Sequence, residues 1–133
     1  MVKLNVLLAL GCAALGCATF AASPTAAHHT ASMFAADKEI VLSGTVKQFQ
    51  YTNPHSWIQV LVPGDAGAPV EWSIETQAPV VLLRAGIKPT SLQPGDKVTI
   101  KLHPLKDGGA GGEMVEVTKE DGSIISLRGP GPN

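Results

Sequence analysis

Cysteine is almost absent from this sequence of 133 residues, because only Cys12 and Cys17 are present and both lie near its start. If residues 1–27 are removed as a leader, the mature chain has no thiol. That excludes a cysteine nucleophile, a zinc–thiolate site and a scaffold held together by disulfides.

An excess of basic charge is also missing, since 10 Lys and Arg residues stand against 11 Asp and Glu residues. Proteins that bind nucleic acid normally have a strong basic excess, so a nucleic-acid partner is not expected. The length supports one hydrophobic core. Two packed domains, a repeat solenoid or a Rossmann nucleotide-binding fold are therefore not expected.

Recognisable catalytic motifs are lacking too. The sequence contains no Gly-x-Ser-x-Gly, no His-Glu-x-x-His and no paired carboxylates in a catalytic setting. The glycine-rich run at 108–112 is not followed by Lys-Ser or Lys-Thr and a helix, so it does not indicate a phosphate-binding loop. The sequence therefore predicts a protein that is not an enzyme.

Residues 1–27 have the three parts of a secretory signal peptide. Lys3 supplies the positive start, the apolar stretch 4–15 follows, and small residues permit cleavage after Ala21 or after Ala27. The apolar stretch is shorter than the ~20 residues of a membrane-spanning helix, so no transmembrane segment is expected after cleavage. The prediction is a periplasmic or secreted protein. In the alternative, Cys17 carries a lipid anchor, because the residues before it resemble a lipobox with its Leu one place late.

The mature chain divides into an N-terminal arm (28–38), a β-domain (39–128) and a tail without the means to pack (129–133). Alternating apolar residues predict strands near 39–50, 55–62, 69–76, 97–105, 113–118 and 123–127. The segment 78–86 breaks this alternation and predicts a short helix, with Pro79 in its first turn and Gly86 just beyond its end.

The order β-β-β-α-β-β, with one more short strand at the end, is typical of the OB-fold. We therefore predict an all-β protein with one short helix, folded as an OB-like barrel of five or six strands. A lipocalin-like barrel or a β-sandwich is the alternative. Within the barrel, Gly44 indicates a bulge or sharp bend in the first strand, and Trp72 is expected in the core.

The segment Asn53-Pro54-His55-Ser56-Trp57 is the densest polar and aromatic cluster of the chain. If the second and third strands pair so that both apolar faces point inward, Trp57 lies opposite Glu75 and Gln59 opposite Ser73. One interpretation is a ligand site formed by Asn53, His55, Trp57 and Glu75. The alternative interpretation is structural, with a turn at Asn53-Pro54 and Trp57 packed under the arm or the tail.

All four histidines lie in the mature part of the chain, and imidazole is a good ligand for copper, zinc and nickel. Cleavage after Ala27 would leave His28 with a free amine beside its ring, which is suited to Cu(II). The residues of this candidate metal site are His28, His29, Met33, His55 and His103. The alternative is an arm whose histidines are simply solvated.

Several short motifs together resemble a known family. They are His28-His29, Ser43-Gly44-Thr45-Val46, Asn53-Pro54-His55-Ser56-Trp57, Trp72-Ser73-Ile74-Glu75, the segment 92–98 and Asp121-Gly122. In combination they are similar to small exported proteins of Gram-negative bacteria in domain-of-unknown-function family 6152. The resemblance implies export and one compact β-domain, and it implies no activity. Members often have Trp where this chain has Tyr51.

The sequence thus predicts an exported, non-catalytic binding or accessory module. Its partner would be a small ligand or another periplasmic protein. The first alternative is a copper-binding protein that uses the arm, with copper as its cofactor. The second is a protein that binds an oligonucleotide on the barrel face, which the acidic residues Glu71 and Glu75 oppose.

Overall fold

The computed structural model describes residues 33–128. The predicted signal peptide, His28 and His29 of the arm, and the predicted tail lie outside the described residues. The described part contains six strands and one short helix: β1 Ile40–Gln50, β2 Trp57–Val62, β3 Val70–Glu75, α1 Pro79–Arg84, β4 Lys97–Pro104, β5 Gly111–Lys119 and β6 Ile124–Ser126.

The strands form one sheet in the order β3-β2-β1-β4-β5-β6. Neighbours in this order are antiparallel, and β3 also pairs with β5 in parallel, with Ser73 opposite Gly111 and Glu75 opposite Glu113. That pairing closes the first five strands into a barrel, and β6 continues the sheet beside β5. The predicted OB-like barrel is confirmed, and the helix lies between β3 and β4 as in that fold.

The first strand serves both halves of the barrel, since its start pairs with β4 and its end with β2. Gly44 lies where the two pairings meet, and a Cβ there would stand only 2.5 Å from the carbonyl oxygen of Leu61. The predicted irregularity is thus a close approach of two backbones at Gly44. A register shift follows between Val46 and Gln48.

Inward side chains of all five barrel strands, together with Leu92 from the connection between α1 and β4, form the core. The fully packed members are Leu42, Val46, Ile58, Val60, Ile74, Leu92, Val98, Ile100, Leu102, Met114 and Val117. The expectation of a core Trp72 needs correction, because that side chain is only half-buried at the edge of this cluster. The parallel pairing of β3 with β5 begins one residue later, at Ser73, so Trp72 lacks a neighbouring strand on one side.

The helix begins with Pro79 and buries Leu82. Beyond its end, Gly86 has a φ of 79°, which favours glycine. The N–H of Ile87 donates to the carbonyl of Leu82 at 2.8 Å, and the N–H of Gly86 donates to that of Leu83 at 3.0 Å. This is a Schellman ending, so the predicted roles of Pro79 and Gly86 are both borne out.

The arm is fastened to the barrel at its last residues. Phe34 is buried and pairs with Leu105, and the N–H of Lys106 donates to the carbonyl of Met33 at 2.9 Å. Among residues 33–128, no helix has the length and apolar character that spanning a bilayer requires.

Candidate functional site

The pairing of β2 with β3 assembles the site. Trp57 lies opposite Glu75 and Gln59 opposite Ser73, which is the register expected from the inward apolar faces. On the other side of β2, Gln50 lies opposite Trp57 and Gln48 opposite Gln59. The outward side chains of these three strands form a surface that we call the Trp57 face: Gln48, Gln50, Trp57, Gln59 and Ser73.

A row of hydrogen bonds crosses the Trp57 face. The hydroxyl of Ser73 donates to Oε1 of Gln59 at 2.6 Å. Nε2 of Gln59 then approaches Oε1 of Gln50 at 3.5 Å, and Nε2 of Gln50 approaches Oε1 of Gln48 at 3.4 Å. The two longer contacts are weak, so these amides can exchange them for stronger bonds to a ligand.

A carboxylate and an imidazole form a close pair at one end of the Trp57 face. The side chain of Glu75 is 5% exposed and that of His55 is 36% exposed, and Nδ1 of His55 contacts Oε1 of Glu75. A hydrogen on Nδ1 of His55 would bond to this carboxylate oxygen and leave Nε2 available. Glu75 occupies the outward register position expected from the sequence, and its side chain is nevertheless buried.

The segment 51–56 holds His55 in place. Ser56 is fully buried; its hydroxyl donates to the carbonyl of Thr52 at 3.3 Å and accepts from the N–H of Thr52 at 3.2 Å. The hydroxyl of Thr52 also donates to the carbonyl of His55 at 3.0 Å. Backbone bonds from Ser56 to Gln77 and from Thr76 to Ser56 extend the pairing of β2 with β3 past Glu75. The loop is therefore fixed at both of its ends.

The four residues of the predicted ligand site meet only in part. His55, Trp57 and Glu75 lie together at one end of β2 and β3. Asn53 is exposed in the preceding turn, and its side chain makes no hydrogen bond within residues 33–128. Sequence reasoning did not assign the glutamines to the site. Simple alternation places Gln48 and Gln50 on the inward face with Val46, and the register shift between Val46 and Gln48 turns them outward.

The predicted metal ligands do not converge in the described part of the chain. Met33 is 51% exposed at the end of the arm. Nδ1 of His103 lies 2.8 Å from the carbonyl oxygen of Lys38, which leaves Nε2 of His103 available. Within residues 33–128, no group of three or more His, Cys, Asp or Glu side chains is placed to hold a metal ion. His28 and His29 lie outside the described residues.

Of the acids near the Trp57 face, Glu113 lies opposite Glu75 across β3 and β5 and forms no ion pair within residues 33–128, whereas Glu71 and Glu75 have partners. Nζ of Lys47 lies 2.6 Å from Oε2 of Glu71, and His55 contacts Glu75. The five residues of the face are themselves uncharged. The surface therefore presents one indole and several amides to solvent.

Cavities of the described part of the chain lie away from this face, and one of about 400 Å³ is lined by Asp96 and Lys119. A groove of about 740 Å³ runs beside the β2–β3 hairpin, lined by Leu61, Pro69 and Val98. A cavity of about 370 Å³ lies beside Trp72 and the end of the arm. None of these three cavities contains any of the four residues predicted to bind a ligand.

A family model described as a family of unknown function, DUF6152, matches residues 15–114. The match covers most of the chain, and the chain belongs to this family. The resemblance drawn from the short motifs is thereby confirmed. No curated protein matches the chain at a significant level.

Proposed function

We propose that this member of the DUF6152 family is an exported, non-catalytic binding module that holds an uncharged, polar chain molecule on the Trp57 face. The class of ligand that fits best is a neutral oligosaccharide. The observation that carries the proposal is the register of β1, β2 and β3, which places Trp57 beside a row of amides with no unpaired charge among the described residues of the face.

The chemistry of the face matches a sugar ring on two counts. A partly exposed indole offers an apolar surface on which the C–H side of a sugar can stack. The amides of Gln48, Gln50 and Gln59 each provide both donors and acceptors, so they can bond to successive hydroxyl groups. Their mutual contacts of 3.4 and 3.5 Å are long, so little is lost when a ligand replaces them.

The charge distribution argues against an oligonucleotide on the same face. Binding a phosphate backbone depends on Lys and Arg, and the lysine nearest in sequence, Lys47, is paired with Glu71 at 2.6 Å. Barrels of this fold bind both oligonucleotides and oligosaccharides. Charge therefore favours the neutral ligand.

Fluorescence of a variant that retains Trp57 as its only tryptophan tests the proposal. In a Trp72→Phe background, cellohexaose and chitohexaose are titrated separately, with a 15-nucleotide oligothymidylate as the charged comparison. We expect a saturable change in Trp57 emission with at least one of the sugars and none with oligothymidylate. Gln59→Ala should weaken that binding by about threefold to tenfold, the equivalent of one hydrogen bond.

Gln93→Ala is the matched control, because Gln93 is exposed in a turn away from the Trp57 face. It should leave the affinity unchanged. If oligothymidylate bound, and if its affinity fell as the salt concentration was raised, the ligand of the Trp57 face would be a nucleic acid and not a sugar. If neither the sugars nor oligothymidylate changed the emission of Trp57 or the amide resonances of Gln59 and Ser73, the Trp57 face would not be the binding surface.

Copper binding by the arm is a second candidate function. It is favoured by the anchoring of Phe34 beside Leu105, two residues after His103, since His28 and His29 precede Phe34 by only six and five residues in the sequence. Cu(II) is titrated into protein that begins at His28. Binding should weaken as the pH falls through about 6.5, where free imidazole gains a proton. Uptake by a His28→Ala/His29→Ala variant as tight as that of the wild type would refute this function.

A further inference from the structure

A cavity of about 370 Å³ lies at the opposite side of β3 from the Trp57 face. Its walls come from three parts of the chain: the end of the arm, β3, and the β4–β5 connection. Trp72, Ile40 and Leu105 provide apolar surface, and Gly108 and Gly109 line it with backbone alone. The volume lies within the usual range for small-molecule sites, about 300–1,000 Å³.

The indole of Trp72 is the largest side chain of this cavity. It packs against the core on one side and stays half-exposed on the other, because β3 has no β5 neighbour at this position. A half-exposed indole beside Ile40 and Pro104 offers a flat apolar wall. A planar aromatic ring would cover that wall and remove the apolar surface from water.

Two cations also line the cavity. Lys38 and Lys106 are exposed, and neither forms an ion pair within residues 33–128. Their backbones are fixed, since the carbonyl of Lys38 lies 2.8 Å from Nδ1 of His103 and the N–H of Lys106 donates to Met33. The acid of the same loop, Asp107, does not line the cavity, and its carboxylate accepts from the N–H of Gly109 at 2.9 Å.

We infer that this cavity, the Trp72 cavity, binds a small planar aromatic carboxylate. The ring lies against Trp72, and the carboxylate is oriented toward the ammonium groups of Lys38 and Lys106. This site is independent of the Trp57 face, shares no residue with it, and does not depend on the function proposed above.

The test uses the mature chain with Trp57→Phe, so that Trp72 is the only tryptophan. The probes are 1-naphthoate and its uncharged analogue 1-naphthamide, which share a ring system and differ in charge. We expect saturable quenching of Trp72 by naphthoate with a dissociation constant of about 1 mM or below. Naphthamide should bind about fivefold more weakly, which is the contribution of exposed charge pairs.

A Lys38→Gln/Lys106→Gln variant should remove the preference for naphthoate and leave naphthamide binding unchanged. Lys88→Gln is the matched control, since Lys88 is exposed just beyond α1 and lines none of the described cavities. Higher salt should narrow the difference between the two probes. Amide resonances of Gly108 and Gly109 should shift with naphthoate and thereby locate it.

Three results would overturn the inference. They are equal affinities for the two probes in the wild type, a naphthoate affinity that the double lysine variant leaves intact, and resonance shifts confined to the Trp57 face. The lysines are exposed, so we expect the variants to fold, and equal urea midpoints of the variants and the wild type would confirm it.

Discussion

Trp57 and Glu75 face each other across β2 and β3. The indole is partly open to solvent, whereas Glu75 as a whole residue is only 4% exposed. The carboxylate is covered on an outward-facing position because the 51–56 loop brings His55 against it. One cross-strand pair therefore combines a surface for stacking with a buried charged group that holds the neighbouring loop.

Removing His55 should destabilise the protein through Glu75. His55→Ala leaves a buried carboxylate without its imidazole partner, and we expect a loss of about 2–3 kcal/mol in the free energy of unfolding. Adding Glu75→Gln to His55→Ala should recover part of that loss, since the uncompensated charge is then gone. Urea denaturation at neutral pH measures the free energy of unfolding of the wild type and of both variants.

The matched control for that pair is Lys47→Ala, which breaks the exposed contact between Lys47 and Glu71. Exposed pairs contribute about 0–1 kcal/mol, so this variant should cost clearly less than His55→Ala. If Lys47→Ala and His55→Ala lowered the free energy of unfolding equally, the burial of Glu75 would have no energetic consequence.

The two tryptophans should respond differently to truncation. Trp72 packs against the core, whereas Trp57 is not part of that cluster. Replacing a fully buried Trp by Ala lowers the free energy of unfolding by about 3–5 kcal/mol. Because Trp72 is only half-buried, we expect Trp72→Ala to lower it by about 2–3 kcal/mol. Trp57→Ala should cost about 1 kcal/mol or less. Chemical denaturation of the two variants shows which substitution lowers the free energy of unfolding more. If Trp57→Ala lowered it more, Trp57 would be a structural residue and not a binding surface.

Acid stability depends in part on Asp96. The backbone N–H of Gln93, at 3.0 Å, and Lys119, at 3.1 Å, hold the pKa of Asp96 below its ordinary value of 3.8. Since the folded pKa is the lower one, the carboxylate stabilises the fold above pH 3.8, and this contribution disappears as the pH falls through the folded pKa.

Urea midpoints measured from pH 6 down to pH 2 test this dependence. The wild type should lose more stability over that interval than Asp96→Asn, whose side chain does not titrate. Asp121, whose pKa is lowered by the hydroxyl and N–H of Ser123, still titrates in the variant. The fall of the urea midpoint with decreasing pH should therefore become less steep without disappearing. Parallel curves for the two proteins would contradict the role of Asp96.

Much of the barrel follows from the alternation of apolar residues. The register of β2 with β3 was predictable because a slip by one residue would turn Ile74 away from the side that holds Ile58 and Val60, and the short hairpin loop restricts larger slips. The end of the helix was predictable from Gly86, whose positive φ is favourable in glycine. Both depend on local chemistry.

Other features depend on pairings between distant segments, which the local pattern does not reveal. The alternation of β5 predicts Val115 inward, but a register shift opposite Lys101 and Leu102 leaves Val115 half-buried and points Met114 into the core. The burial of Glu75 has the same kind of origin, since it needs the 51–56 loop and the β3–β5 closure together. The pairing of Trp57 with Glu75 was therefore predictable, whereas the burial of Glu75 and the outward positions of Gln48 and Gln50 were not.

The hydroxyl of Tyr51 connects the site loop to the helix. It lies 3.0 Å from the carbonyl of Pro79, at the start of α1, and 2.9 Å from that of Ile87, just past its end. The ring meets Phe49 edge-on, with centroids 5.5 Å apart. A helix of six residues is not stable by itself in water, so its attachment to the barrel matters.

Tyr51→Phe should therefore loosen the helix while leaving the barrel closed. The substitution keeps the ring and its contact with Phe49 but removes the hydroxyl, whose one hydrogen is shared between the two carbonyls, at a cost of about 1 kcal/mol in the free energy of unfolding. Hydrogen exchange of the Leu82 and Ile87 amides, which bond within and just beyond α1, should speed up more than that of Ile100 in β4. The amide of Ile100 exchanges only when the barrel opens. If the exchange rates of Leu82, Ile87 and Ile100 rose equally, the hydroxyl of Tyr51 would stabilise the whole fold. No change at Leu82 would mean that packing of its buried side chain, and not Tyr51, holds the helix against the barrel.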